Sequence, residues 1–246
     1  MKRLLLQLLP LAAGLLAFAI ALQLGNWQTR RAAEKLDIQA RIDVLAQGAP
    51  LAPRADAAAL PEWQPLQLAG TWLGQATRLI DNRTHQGQAG YHVLTPLLLS
   101  DGSGAVLVNR GWVAAGDRRN VPAIPTPTGV QRVEGWLRLP EAAPFMLAAE
   151  SAGLAAPVWQ HVDPVRHRQL LAPVHLAVWV VHQTSAADDG LIRDWPLPVA
   201  GVDRHRGYAF QWYALACLAA GLCVWALWRL IFRRPHDHRA SRLIRG

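Results

Sequence analysis

Two stretches of the sequence decide the fold. Residues 4–24 read LLLQLLPLAAGLLAFAIALQL, and residues 208–228 read YAFQWYALACLAAGLCVWALW. Each runs for 21 residues without a charged side chain. At 1.5 Å of rise per residue, about 20 apolar residues cross a hydrocarbon core of roughly 30 Å as a helix. Pro10 is compatible with the first span, because neighbouring groups re-satisfy the backbone in a membrane helix. The sequence therefore predicts two transmembrane helices. They divide the 246 residues into a short N-terminus with the first span (1–24), a middle domain (25–207), the second span (208–228) and a basic tail (229–246).

The charge distribution supports this division. The formal net charge is +8. Lys2 and Arg3 precede the first span, and Arg229, Arg233, Arg234, Arg239, Arg242 and Arg245 follow the second. Between them, residues 25–206 carry 17 basic and 16 acidic groups. A nucleic-acid binder concentrates basic charge on its folded domain. Here the domain is nearly neutral, so nucleic acid is not an expected partner, whereas membrane lipid is. Basic flanks face the cytoplasm, so both termini are expected inside and the middle domain outside. No amphipathic import presequence is legible before the first span. The expected location is a bacterial inner membrane, with the middle domain in the periplasm. Lys2-Arg3, the apolar run and Ala19-Ile20-Ala21 also fit a cleavable secretory signal; the length of the run favours an uncleaved anchor. The two cysteines, Cys217 and Cys223, both lie in the second span. The middle domain has none, which excludes disulfide scaffolding and cysteine-based copper or redox chemistry there.

Within the middle domain, Trp27–Leu45 continues the first helix outward. Glu34, Ile38, Ile42 and Leu45 share one face, and Asp37 precedes Arg41 by four residues. Ala49-Pro50 and Pro53 end it. Beyond Trp63 the pattern changes to short alternating runs: Pro65–Ala69, Thr77–Asp81, Tyr91–Ser100, Ala105–Asn109, Arg132–Leu139 and Val174–Gln183. In the third run Tyr91, Val93, Leu97 and Leu99 share a face, with His92 and Leu94 on the other. Ser100–Gly104 is rich in turn residues and predicts a hairpin. The proline-rich Val121–Pro127 cannot donate to a sheet ladder and reads as an extended loop. The expected fold class is α+β: two transmembrane helices flanking a β-rich, antiparallel domain.

Catalytic signatures are missing. The sequence has no nucleophile elbow, zincin helix, phosphate loop or paired-cysteine motif. His161, Asp163 and His167 form a small cluster that reads as a polar loop near Pro164, because a metal site needs three or four convergent ligands. His175 and His182, seven apart, face opposite sides of one strand. His85 and His92 have no spacing that marks a site. His205 stands at the mouth of the second span within Arg204-His205-Arg206. On a helix it shares a face with Tyr208, Ala209 and Trp212. Position alone makes it an interfacial anchor; the alternative is an axial ligand to heme iron, with Arg204 and Arg206 placed for propionates.

Four stretches together resemble the bacterial branch of the Surfeit-locus family of cytochrome c oxidase assembly factors. Leu24-Gly25-Asn26-Trp27-Gln28, followed by Arg30 or Arg31 and by Lys35, is similar to the family's LGxWQxxRxxxK segment. Gly90–Leu97 resembles GYxVLTPL, and Val108-Asn109-Arg110-Gly111-Trp112-Val113 resembles VNRGWV. Asp203–Tyr213 resembles HxxYAxQWF at the start of the second span. The resemblance implies an assembly factor and not an enzyme. It implies transient binding of heme a, with His205 as the axial iron ligand, and assistance with insertion into the oxidase catalytic subunit. It makes heme a synthase a second expected partner. The alternative is a cofactor-free membrane scaffold that stabilises an oxidase assembly intermediate. Residues 185–203, rich in Pro and Asp, match none of the four motifs.

Overall fold

The computed structural model describes residues 2–57, 60–140, 153–196 and 201–232. The arginines expected to flank the second span beyond Arg229, together with His236 and His238, lie outside the described residues. The chain folds as two compact units.

The first unit is a pair of long helices. Helix α1 (Lys2–Ala46) is one 45-residue element with Pro10 inside it, and α3 (Val202–Phe232) contains the second span. Their apolar windows reach mean hydropathies of 2.1 and 2.0. Leu9, Leu16, Phe210, Val224 and Ile231 are more than 60% exposed. Apolar side chains displayed all round a helix need a solvent as apolar as they are. The faces that are buried follow a heptad. Ala21, Gly25, Gln28 and Ala32 are buried on α1, and Val202, Ala209, Ala216 and Cys223 on α3. These steps of three, four and seven residues mark a seam between helices. Small side chains bring the backbones close: a Cβ on Gly25 would lie 2.7 Å from the Tyr213 ring.

Among the described residues the second unit holds seven strands: β1 (Pro65–Trp72), β2 (Arg78–His85), β3 (Gln88–Leu99), β4 (Ala105–Ala114), β5 (Val130–Arg138), β6 (Val158–Trp159) and β7 (Leu176–Gln183). A helix, α2 (Pro164–Leu171), precedes β7. The strand order is β1-β5-β7-β4-β3-β2-β6, and β1 also pairs with β3. That extra pairing closes β1, β5, β7, β4 and β3 into a five-stranded barrel, which leaves those strands no free edge. Alternate residues point inward. Leu66, Leu68 and Trp72 of β1 meet Leu97 and Leu99, Val106 and Val108, Val133 and Leu137, and Trp179 and Val181 in one buried core. Outside the wall, α2 and Trp159 cover Leu94, Leu107, Leu176 and Val180.

All six predicted runs are strands, and the Ser100–Gly104 hairpin and the proline-rich loop fall where the sequence places them. The antiparallel expectation holds for five of the seven strand pairings. The pairs β4–β7 and β2–β6 are parallel. The cause is topological, because β7 enters between β4 and β5 after a long connection that includes α2. The face reading of β3 also holds in part. Leu97 and Leu99 face the barrel interior, whereas Tyr91 and Val93 pack with Leu79, Ala115 and Leu191 in a separate cluster.

Candidate functional site

His205 lies in the first turn of α3, where its N–H reaches back to the Gly201 carbonyl at 3.2 Å. It is half-buried, between the seam residues Val202 and Ala209. Its partner comes from the other helix. Gln28 Oε1 is 2.7 Å from His205 Nδ1, and Gln28 is 9% exposed. An amide oxygen only accepts, so Nδ1 carries the proton and donates. The second ring nitrogen, Nε2, makes no hydrogen bond among the described residues. Farther along the seam, Tyr213 Oη donates to Asn26 Oδ1 at 2.9 Å, and Thr29 Oγ1 donates to the Gly25 carbonyl at 3.0 Å. Of the face expected for His205, Ala209 is buried and Trp212 half-buried, but Tyr208 is 46% exposed and lies off the seam. Trp27, next to Gln28, is 50% exposed, and Arg204 and Arg206 are exposed too. The motif residues Gly25, Gln28 and Lys35 are spaced by three and seven, so they fall on one seam and not on scattered faces.

The VNRGWV stretch has a different task. Opposite β3, the register shifts between Val93 and Leu94, so Arg110 is the extra residue of a β-bulge. Gly111 has φ +146°, and a Cβ there would lie 2.8 Å from the Ile192 carbonyl oxygen. The bulge re-aims Arg110. Its guanidinium stacks over Trp72 at 5.1 Å. It donates to the Pro125 carbonyl at 2.7 Å and to Asp189 at 2.9 Å. Both partners of the Arg110–Asp189 pair are 1% exposed. Asp189 also takes Arg193 at 2.6 Å. Arg110 therefore contacts no open surface and locks the 185–196 segment onto the barrel.

A cleft of about 520 Å³ opens on the same unit. Its walls include Trp63, Trp112, Trp195, His85, His92 and His182. The indoles are fixed: Trp112 Nε1 donates to the Arg83 carbonyl at 2.9 Å, and Trp195 Nε1 to the Gln183 carbonyl at 2.7 Å. Trp195 lies 4.4 Å from the His182 ring and 5.4 Å from that of His92. Burial, with Arg83 nearby, pushes His92 down to about 4. Burial, with Arg138 next, pushes His182 down to about 3. Both are neutral at pH 7. Neutral His92 accepts from Asn109 Nδ2 at Nδ1, 3.2 Å away, so its proton sits on Nε2. Residue spacing carries no sign of this cluster, because β2, β3 and β7 bring its histidines together across the sheet.

Of the His161-Asp163-His167 cluster, His161 and Asp163 lie in the loop expected near Pro164, whereas His167 is on α2. Asp163 caps α2, its carboxylate accepting from the N–H groups of Val165 and Arg166 at 2.9 and 3.1 Å. His167 is fully buried edge-on against Trp159, 4.5 Å between ring centres. Burial drives it to about 4, and its Nδ1–H donates to the Asp163 carbonyl at 2.8 Å. Pro164 at the first helical position was the legible signal. Among the described residues no group of three or more His, Cys, Asp or Glu side chains is placed to hold a metal ion.

A β-barrel domain flanked in sequence by two helices long and apolar enough to cross a membrane, with a seam histidine in the first turn of the second helix, defines an α+β protein with two candidate membrane spans around one folded middle domain. The profile of the SURF1 family matches residues 15–217. The match takes in all four motifs, and the chain belongs to the SURF1 family, which is associated with cytochrome oxidase assembly. No curated protein matches the chain significantly.

Proposed function

We propose that the protein carries heme a to the catalytic subunit of cytochrome c oxidase, with His205 as the axial iron ligand. The observation that carries this reading is the His205 ring itself. Nδ1 is committed to Gln28, and Nε2 has no partner among the described residues. A neutral imidazole in that state is a ready heme ligand. The donor set fits one bond to iron. Arg204 and Arg206 flank it with exposed guanidiniums for propionates, and Trp27 and Tyr208 offer exposed rings for the macrocycle. One axial ligand and exposed contacts hold such a cargo without trapping it, as handover requires. Both termini face the cytoplasm of a bacterial cell, and the barrel domain stands in the periplasm. The oxidase catalytic subunit and heme a synthase are the partners that delivery and loading need, and the protein acts as a chaperone without turnover chemistry.

The test is optical. The chain is expressed in membranes that make heme a, purified in detergent and compared with His205→Ala by reduced-minus-oxidised spectra. The expected result is a heme a signal in the parent that is absent in the variant. No heme in either, with heme a supply proven, transfers support to a cofactor-free scaffold.

A further inference from the structure

We infer that Gln28 is the positioning residue of the histidine site: it fixes His205 in the Nδ1–H form, so that Nε2 is the nitrogen offered to a metal. The inference rests on the heme-ligand reading of His205 for its purpose, but its structural content stands without heme. A free neutral imidazole exchanges between two tautomers, and only one presents a lone pair at Nε2. The Gln28 carboxamide decides between them. Its oxygen lies 2.7 Å from Nδ1, and the Nε2–H form would set two lone pairs against each other at that distance. The amide is buried on the seam that α1 forms with α3, with its oxygen turned toward Nδ1. Hydrogen bonds to the far nitrogen of a ligating histidine fix both ring orientation and basicity. A carboxylate in this position pulls harder on the N–H and makes the ring a stronger ligand; the uncharged amide leaves it an ordinary one, as a releasing carrier needs. The two ends of the chain thereby supply one site: α3 gives the ligand and α1 gives its orientation. The contrast within the molecule is His92, whose Nδ1 accepts from Asn109 and whose Nε2 therefore holds the proton.

The experiment uses the full chain in detergent, labelled with ¹⁵N-histidine and free of heme. His205→Ala identifies the His205 signal. The parent is expected to show His205 as the Nδ1–H tautomer at a pH where the ring is neutral. Gln28→Met keeps length and volume but removes the acceptor, and should shift the signal to a mixture rich in Nε2–H. Gln28→Glu should restore the Nδ1–H form. Loaded with heme a, Gln28→Met should lose it about 10- to 100-fold faster. Gln28→Glu should retain it with a lower midpoint potential. A parent in the Nε2–H form overturns the inference, and so does an unchanged tautomer in Gln28→Met. The parent's own spectrum decides even if the variant fails to fold. Heme that survives His205→Ala counts against the proposed function and leaves the tautomer assignment standing.

Discussion

Replacing Asp189 by Ala should be among the most damaging changes to the barrel domain. The substitution removes the carboxylate from between two guanidiniums, Arg110 at 2.9 Å and Arg193 at 2.6 Å. Arg110 cannot turn to water, because it is 1% exposed and held under Trp72. It keeps the Pro125 carbonyl but loses its counter-charge. An uncompensated buried charge costs about 3–5 kcal/mol, a large fraction of the roughly 5–15 kcal/mol that keeps a domain folded. At about 2–4 °C per kcal/mol for a domain of this size, melting falls by roughly 6–20 °C. Arg110→Met should cost less, because Asp189 retains Arg193 and the methionine stem fills the space above Trp72. The pair Arg110→Met with Asp189→Leu should be more stable than Asp189→Ala alone, since no charge is stranded. The assay is thermal unfolding of the detergent-solubilised chain followed by tryptophan fluorescence. An Asp189→Ala protein melting within about 2 °C of the parent would falsify the claim that this pair bears on stability.

Folded His92 and His167 titrate near 4 and His182 near 3, below the ordinary 6.5. Below pH 6.5 the unfolded chain binds protons that the folded chain refuses, so stability is full above pH 6.5 and falls as pH drops toward the folded values. The slope is at most about 1.4 kcal/mol per pH unit for each histidine, and urea unfolding at pH 7 and pH 5 measures it; His167→Phe should flatten the dependence, and a parent equally stable at both values refutes the assignment. Gly111→Ala should destabilise by about 2 kcal/mol or more, since φ is +146° and the new Cβ meets the Ile192 carbonyl and Leu191 Cβ at 2.8 Å; a neutral effect in the same melt would show that the bulge relaxes freely.

Much of this arrangement is legible in the amino-acid sequence. Uninterrupted apolar runs and their basic flanks define the helices, because length and charge are local properties. The strands are readable for the same reason: period-two alternation survives in a half-buried sheet. The closure of the barrel is not readable. It depends on β1 pairing with β3 through only three residues, Gly70, Thr71 and Trp72, and on β7 entering between two earlier strands. Helix α2 escapes notice because it is eight residues long, and its capping aspartate looked like a candidate ligand. His205 is singled out by position and by motif; Gln28 stands in a motif too, but its role is not legible there, since it is set by a helix 177 residues away in sequence. The 185–196 segment looks patternless because its work is done by one carboxylate and a two-residue bridge, Ile192 to Trp112.

The place of β7 in the barrel also sets an order of events for the nascent chain. Its neighbours β4 and β5 are complete long before it, since β7 ends at Gln183 and β5 at Arg138. Until β7 arrives, both must wait with unpaired backbone edges, each able to template the wrong partner. Non-local pairings of this kind are also the slow ones. Val202, where the second long helix begins, is not far behind. The domain therefore seals only as the second long helix is about to emerge, and any truncation short of Gln183 leaves an open sheet in place of a smaller barrel.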